Sequence, residues 1–181
     1  ATADAGAAQS TAADQWEQGV VPSLYQSDTS WADVPYGQAT LASTGAAPVA
    51  LAMAYVAATG DTTYTPVEFA QWATDHDLTA AGVDTIGAFL QQGGTAFGLA
   101  VDPMIVDDRT LRHAIVSNVP VLAVTQPGTF APASSVVVLD DIDKDSHIVL
   151  HDPTSASRSA KGWAFDDITD AAALAFTVHE V

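Results

Sequence analysis

The 181-residue chain contains no cysteine. That absence excludes disulfide bridges, and with them the thiolate that is the nucleophile of every cysteine hydrolase. Basic residues are nearly as scarce, with five Lys and Arg against 22 Asp and Glu. Nucleic-acid binding rests on cationic side chains that neutralise phosphates, so nucleic acid is not an expected partner, and anionic lipid headgroups are repelled for the same reason. Glu is itself rare, limited to Glu17, Glu68 and Glu180, so the acidity is carried by Asp. A net charge of this kind speaks for solubility, or for salty or acidic surroundings, rather than for a particular fold. No apolar run approaches the roughly 20 residues of a membrane-spanning helix, so no membrane insertion is expected. No internal repeat and no signal peptide is found.

What is there suits a folded domain. Almost half of the residues are apolar, and the length is sufficient for one core without metal or disulfide staples. Residues 1–15, rich in Ala, Thr, Gln and Ser, are expected to form a disordered tail or linker, with residues 16–181 as a single domain. That opening resembles the start of a mature secreted protein or an interdomain linker, which points to a fragment of a larger exported, secreted or cell-surface protein.

The order of elements reads as helices first and an antiparallel sheet afterwards, an α+β arrangement. Residues 19–26, with Pro22, read as a first or edge strand. Ala46 onward is apolar almost all round, which predicts a buried helix over 46–59 ended by Gly60. Thr65 as N-cap, Pro66 at the first helical position and Glu68 predict a helix to about Asp75. Further helices are expected over 84–92 and from Asp107–Asp108 to about Ser117. Strands are expected over 99–104, 120–125, 134–140, 147–152 and 173–180, with the acidic stretch 141–145 as a hairpin turn.

One ordered set of short blocks carries a resemblance. Tyr25-Gln26-x-Asp28-x-x-Trp31, Tyr36-Gly37 and Ser43-Thr44-Gly45-Ala46-Ala47-Pro48 lead into Leu51-Ala52-Met53-Ala54. Thr65-Pro66, Phe69-Ala70, Trp72-Ala73, Gly98-Leu99 and Asn118-Val-Pro120-Val121 follow. Gly128-x-Phe130, a Val-Val-Val-Leu strand, Asp152-Pro153 and Trp163-x-Phe165-x-x-Ile168 complete the series. The series is similar to cysteine peptidase family thirty-nine and its C39-like relatives, the bacteriocin-leader peptidase group, over roughly residues 20–178. The resemblance implies a papain-like fold, with a buried central helix and further helices packed against an antiparallel sheet, and a bacterial setting.

The resemblance also implies a site. In the family a cysteine begins the central helix, where the helix terminus lowers its pKa. A histidine on the facing sheet pairs with it, an Asp orients the histidine, and a Gln helps to hold the oxyanion. Gln26 matches the oxyanion glutamine and Asp152 the orienting acid. Ala46 stands where the family has cysteine, and ungapped placement of the strand puts Ser135 where it has histidine. The degenerate positions are thus Gln26, Ala46, Ser135 and Asp152, and no catalytic residue is expected to be active. Ser43, Thr44, Ser134 and Ser135 offer hydroxyls, but a serine nucleophile needs an adjacent base. His76, His113, His147, His151 and His179 fall outside the expected place.

Other candidates read as structure. Asp141-x-Asp143-x-Asp145, with Asp152 twelfth, has the alternation of a calcium loop, but Ser146 replaces the glycine and the segment is a hairpin rather than a loop between helices. Asp75-His76-Asp77 reads as a helix end. No metal or cofactor is implied. Trp31, Trp72 and Trp163 read as packing anchors and Trp16 precedes the resemblance, while Tyr25 and Trp31 flank Gln26 and are candidates for the wall of a cleft.

Two functional readings follow. One is a catalytically inactive C39-like peptidase domain, a pseudopeptidase that binds a peptide or protein ligand in the old substrate cleft. The other is a cysteine peptidase or amidase whose nucleophile at position 46 was replaced by Ala. A purely structural domain of a surface protein is the blandest alternative, and the oligomeric state is left open.

Overall fold

The site is positioned by a six-stranded antiparallel sheet and the apolar helix that crosses one of its faces. In the computed structural model, which describes residues 9–181, a single 3-10 turn at Ala13–Gln15 is followed by a small hairpin of β1 (Pro35–Tyr36) and β2 (Ala39–Thr40). It is followed by α1 (Leu41–Thr44), α2 (Ala46–Thr59), α3 (Pro66–Asp75) and α4 (Val83–Ala96). Then come β3 (Leu99–Met104), α5 (Asp108–Val116), β4 (Val121–Thr125), β5 (Ser135–Ile142) and β6 (Ile148–His151). The chain continues through α6 (Ala156–Ser159), β7 (Gly162–Trp163), α7 (Phe165–Ala171) and β8 (Ala172–Glu180). The large sheet has the order β3-β8-β4-β5-β6-β7 with every neighbouring pair antiparallel. The expected α+β class is therefore the observed one.

Strand alternation gives the sheet two buried faces. Leu122, Val124, Val136, Val138, Phe176 and Val178 pack beneath α2, α3 and α4, whereas Val121, Ala123, Val137, Leu139, Ile148 and Leu150 join α5, α7, Phe130 and Trp163 on the other side. Every residue of α2 from Ala46 to Ala57 is buried. Its many alanines let the helix lie close to β4, β5 and β8 while α3 and α4 cover its outer surface. Each fully buried Val, Leu or Met side chain in it contributes about 1.5–3 kcal/mol of transfer free energy.

Local chemistry sets the ends of these helices. Thr65 and Glu68 form a reciprocal capping box at α3: the Thr65 N–H donates to Glu68 Oε2 at 2.7 Å, and Thr65 Oγ1 accepts from the Val67 N–H. Asp107 Oδ1 accepts from the Thr110 N–H at 2.7 Å and caps α5. Gly60, with φ of 72°, ends α2 in the left-handed conformation that glycine adopts most cheaply. Gly45 joins α1 to α2 so tightly that a Cβ there would lie 2.5 Å from the Leu41 carbonyl oxygen.

Two expectations change. Residues 19–26 are not a strand, because their backbone groups are taken by other partners. The Ser23 N–H donates to Thr11 Oγ1, the Ser23 carbonyl accepts from the Thr11 N–H, and the Leu24 N–H reaches Met53 Sδ at 3.4 Å. The same bonds tie down part of the expected 1–15 tail, since Ser10 Oγ also accepts from the Tyr25 N–H at 3.0 Å. Residues 1–8 of that tail lie outside the described residues. Among the described residues no helix is long and apolar enough to cross a membrane.

Candidate functional site

A cavity of about 580 Å³ opens where the N-terminus of α2 meets the start of β5. Gln26, Ala46 and Ser135 all line it, together with Tyr36, Phe130 and Arg158 among others. Three of the four positions singled out in the sequence thus meet in one space. Asp152 lies behind the wall, 1% exposed, and reaches the cavity through Thr154 and Arg158, which do line it.

Each position is held by a different device. Gln26 follows a coil whose backbone is pinned: its N–H donates to the Pro153 carbonyl at 2.9 Å, joining it to the segment that carries Asp152. Its Nε2 donates to the Ala42 carbonyl at 2.8 Å, and its Oε1 is buried without a partner. Ala46 begins α2 and is 8% exposed. The first N–H groups of a helix have no intrahelical acceptor, and Gly45 brings no side chain to cap them. This end of α2 therefore presents partial positive charge at the cavity wall.

Ser135 is the first residue of β5, pairs with Thr125 across the ladder and is 2% exposed. Its parity is that of Val137 and Leu139, so its side chain belongs to the α5 side of the sheet. Alternation carried back one residue gives the α2 side to Ser134, which also lines the cavity. Ser134, just before the strand, and Ser135 thus both border the cavity. Neither is a base. The hydroxyls of Ser135 and Thr125 are both buried without partners.

Asp152 is occupied by a cation the sequence reading did not single out. Arg158 Nε donates to Asp152 Oδ2 at 2.7 Å, and Arg158 Nη2 donates to Thr154 Oγ1 at 2.7 Å. The other carboxylate oxygen accepts from the N–H of Thr154 at 2.8 Å and from its hydroxyl at 2.6 Å. Three of the roughly four acceptor sites of a carboxylate are thus taken, and the acid is committed to Arg158 and Thr154 rather than to an imidazole. The signal that marks Arg158 is its rarity as one of five cations, six residues beyond the acid. Tyr36 adds a phenol whose burial pushes its pKa far above the usual tyrosine range, so it stays protonated.

Tyr25 and Trp31 do not line the cavity. Both are buried, and Trp31 Nε1 donates to the Tyr25 carbonyl at 2.8 Å, so the pair anchors the coil beneath Gln26. Trp16 and Trp163 are buried as well, while Trp72 is half-buried and stacks on His76 at 3.9 Å between centroids. The acidic hairpin is a self-satisfied turn in which Asp143 Oδ1 accepts from the N–H groups of Asp145 and His147. The His147 N–H bond holds the Asp143 carboxyl below the usual aspartate range. Among the described residues no group of three or more acidic or histidine side chains is gathered so as to hold a metal.

No histidine lines the cavity among the described residues. His151 instead joins a second polar chain at the far side of β5. Its Nδ1 shares a hydrogen bond with Ser23 Oγ at 3.1 Å, and its Nε2 one with Asp140 Oδ2 at 2.9 Å. The order Ser-His-Asp is that of a hydrolase triad, but the surroundings are not. The N–H groups of Ser23 and Leu24 are engaged by Thr11 and Met53, which leaves neither for an oxyanion. The neighbouring cavity at Asp140, of about 10 Å³, has room for a water at most. This chain fastens the N-terminal coil to the sheet. Set against protein-family models, curated proteins and solved structures, the whole chain matches none of them.

Proposed function

We propose that this is a papain-like, C39-like domain without peptidase activity, which binds a peptide or protein segment in the cavity at the head of α2. The observation that carries the proposal is the convergence of Gln26 and Ala46 with the start of β5 on one open cavity. The volume is within the range of pockets that enclose small ligands. Two features support inactivity. The residue beginning α2 has no nucleophile, and the acid that would orient a histidine is bound to Arg158.

A live peptidase with its cysteine replaced needs a base at the cavity as well. His151, on the strand next to β5, has both ring nitrogens engaged elsewhere. Gln26 and Ser135 also carry buried polar atoms without partners, an arrangement that costs about 1–3 kcal/mol per group and that a fold has no need of for its own sake. Such residues suit an inherited site better than a core. A secreted or cell-surface location belongs to the same proposal and is supported by the resemblance and the acidic composition.

The test is to restore the nucleophile. In Ala46→Cys, and in Ala46→Cys combined with Ser134→His, the thiol should react with iodoacetamide at neutral pH no faster than about tenfold above free cysteine, and neither variant should cleave peptides. A rapidly labelled thiol accompanied by peptide cleavage in the single variant would overturn the reading in favour of an active peptidase.

A further inference from the structure

The charged group exposed at the cavity has the sign opposite to that of the chain around it, its own charge being balanced from behind by the buried Asp152. The protein carries 22 acidic and 5 basic residues, yet the one charged side chain lining the cavity, among the described residues, is the cation Arg158. Its guanidinium is engaged along one edge only. Nε and Nη2 serve Asp152 and Thr154, whereas Nη1 has no protein partner among the described residues, and the side chain is 31% exposed. Asp152 is completely buried and fixes the guanidinium plane, so the open edge is presented without the usual loss of side-chain freedom.

Beside it the wall is electropositive for a second reason, the uncapped start of α2 at Ala46 and Ala47. The lining also offers small and apolar surface, at Ala46, Ala47, Ile86 and Phe130, among hydroxyl-bearing Ser and Thr residues. An open guanidinium edge next to apolar surface fits a carboxylate carried on an apolar body. An acidic peptide segment does not fit, because a chain with a net charge of −17 repels a ligand bearing several negative charges. A peptide with one carboxylate, at its own end, meets both conditions.

Resting on the peptide-binding reading above, we propose that the cavity recognises the free C-terminal carboxylate of a peptide ending in small or apolar residues. Arg158 is the residue that reads it, through Nη1, and Asp152 is a positioning residue that holds the guanidinium in place. The polar wall at Gln26 and Ser134 then borders the backbone of the residues that precede the terminus.

The experiment uses two matched libraries of N-acetyl tetrapeptides built from Ala, Val, Leu and Phe, one as free acids and one as C-terminal amides. Both are passed over the immobilised whole chain at low salt, and retention is read by mass spectrometry. Free acids should be retained at least tenfold over the corresponding amides. That preference should disappear in the paired variant Arg158→Gln with Asp152→Asn, which leaves no unpaired buried charge. In Arg158→Lys, which keeps a cation opposite Asp152 and so protects folding, the preference should fall severalfold because an ammonium bound to Asp152 lacks the separate outward N–H edge of a planar guanidinium. Equal retention of acids and amides would overturn the carboxylate assignment while leaving peptide binding intact. Retention of neither library would overturn both. An acid preference that survives unchanged in the folded paired variant would remove Arg158 from the role.

Discussion

Two polar clusters flank β5, and they are built on opposite lines. Ser23, His151 and Asp140 form a closed chain in which the donors and acceptors meet one another and no usable space is left. The cavity cluster is open, with an unengaged guanidinium edge on Arg158 and partnerless atoms on Gln26 and Ser135. The closed cluster has the residue types of a hydrolase and the surroundings of a fastener. The open one lacks the residue types and has the surroundings of a site. Geometry and unfilled hydrogen-bonding capacity separate the two where amino-acid identity alone would rank them the other way.

The largest way to break that contrast is at the cavity. Arg158→Ala strands the carboxylate of Asp152, which is 1% exposed, and should lower stability by about 3 kcal/mol in urea unfolding, the cost of a buried charge that loses its partner. The paired replacement with Asp152→Asn should recover most of that loss. In the closed cluster, His151→Ala removes two hydrogen bonds at half-buried groups and should cost about 1–2 kcal/mol by the same measurement. It should leave the acid-over-amide preference of the cavity untouched, and a change in that preference would join the clusters into one unit. The smallest effect concerns the orphaned hydroxyls. Ser135→Ala and Thr125→Val take away buried groups that bond to nothing, so their thermal midpoints should stay level or rise, corresponding to no more than about 1 kcal/mol of added stability. A clear loss in either variant would mean that the hydroxyl has a partner, such as an ordered water, and that the cluster is closed at that point.

The parts of the fold legible in the sequence are those decided by neighbours in the chain. Thr65, Pro66 and Glu68 specify the start of α3 among themselves, Gly60 stops α2, and the β-branched run from Val136 to Val138 makes β5. Residues 19–26 misled because their backbone groups are satisfied by Thr11 and Met53, partners that no local pattern announces. The short helices α1, α6 and α7 escaped for a related reason: four to seven residues are too few to display a helical period. At the site, Gln26 and Ala46 were legible through ordered motifs. The pairing of Asp152 with Arg158 was not, since an acid and a base six residues apart across a turn follow no periodicity. That both Ser134 and Ser135 border the cavity depends on where β5 begins, a fact about the sheet rather than about either residue.

The uniform burial of α2 bears on how this protein is made. The sheet that covers the helix is completed by β8, which comes last among its strands in chain order yet lies between β3 and β4. Synthesis of the stretch from Thr59 to Ala172 takes roughly 6–23 s at about 5–20 residues per second. Throughout that interval the face of α2 that meets the sheet lacks part of its cover, a demand for protection during synthesis rather than in the finished domain.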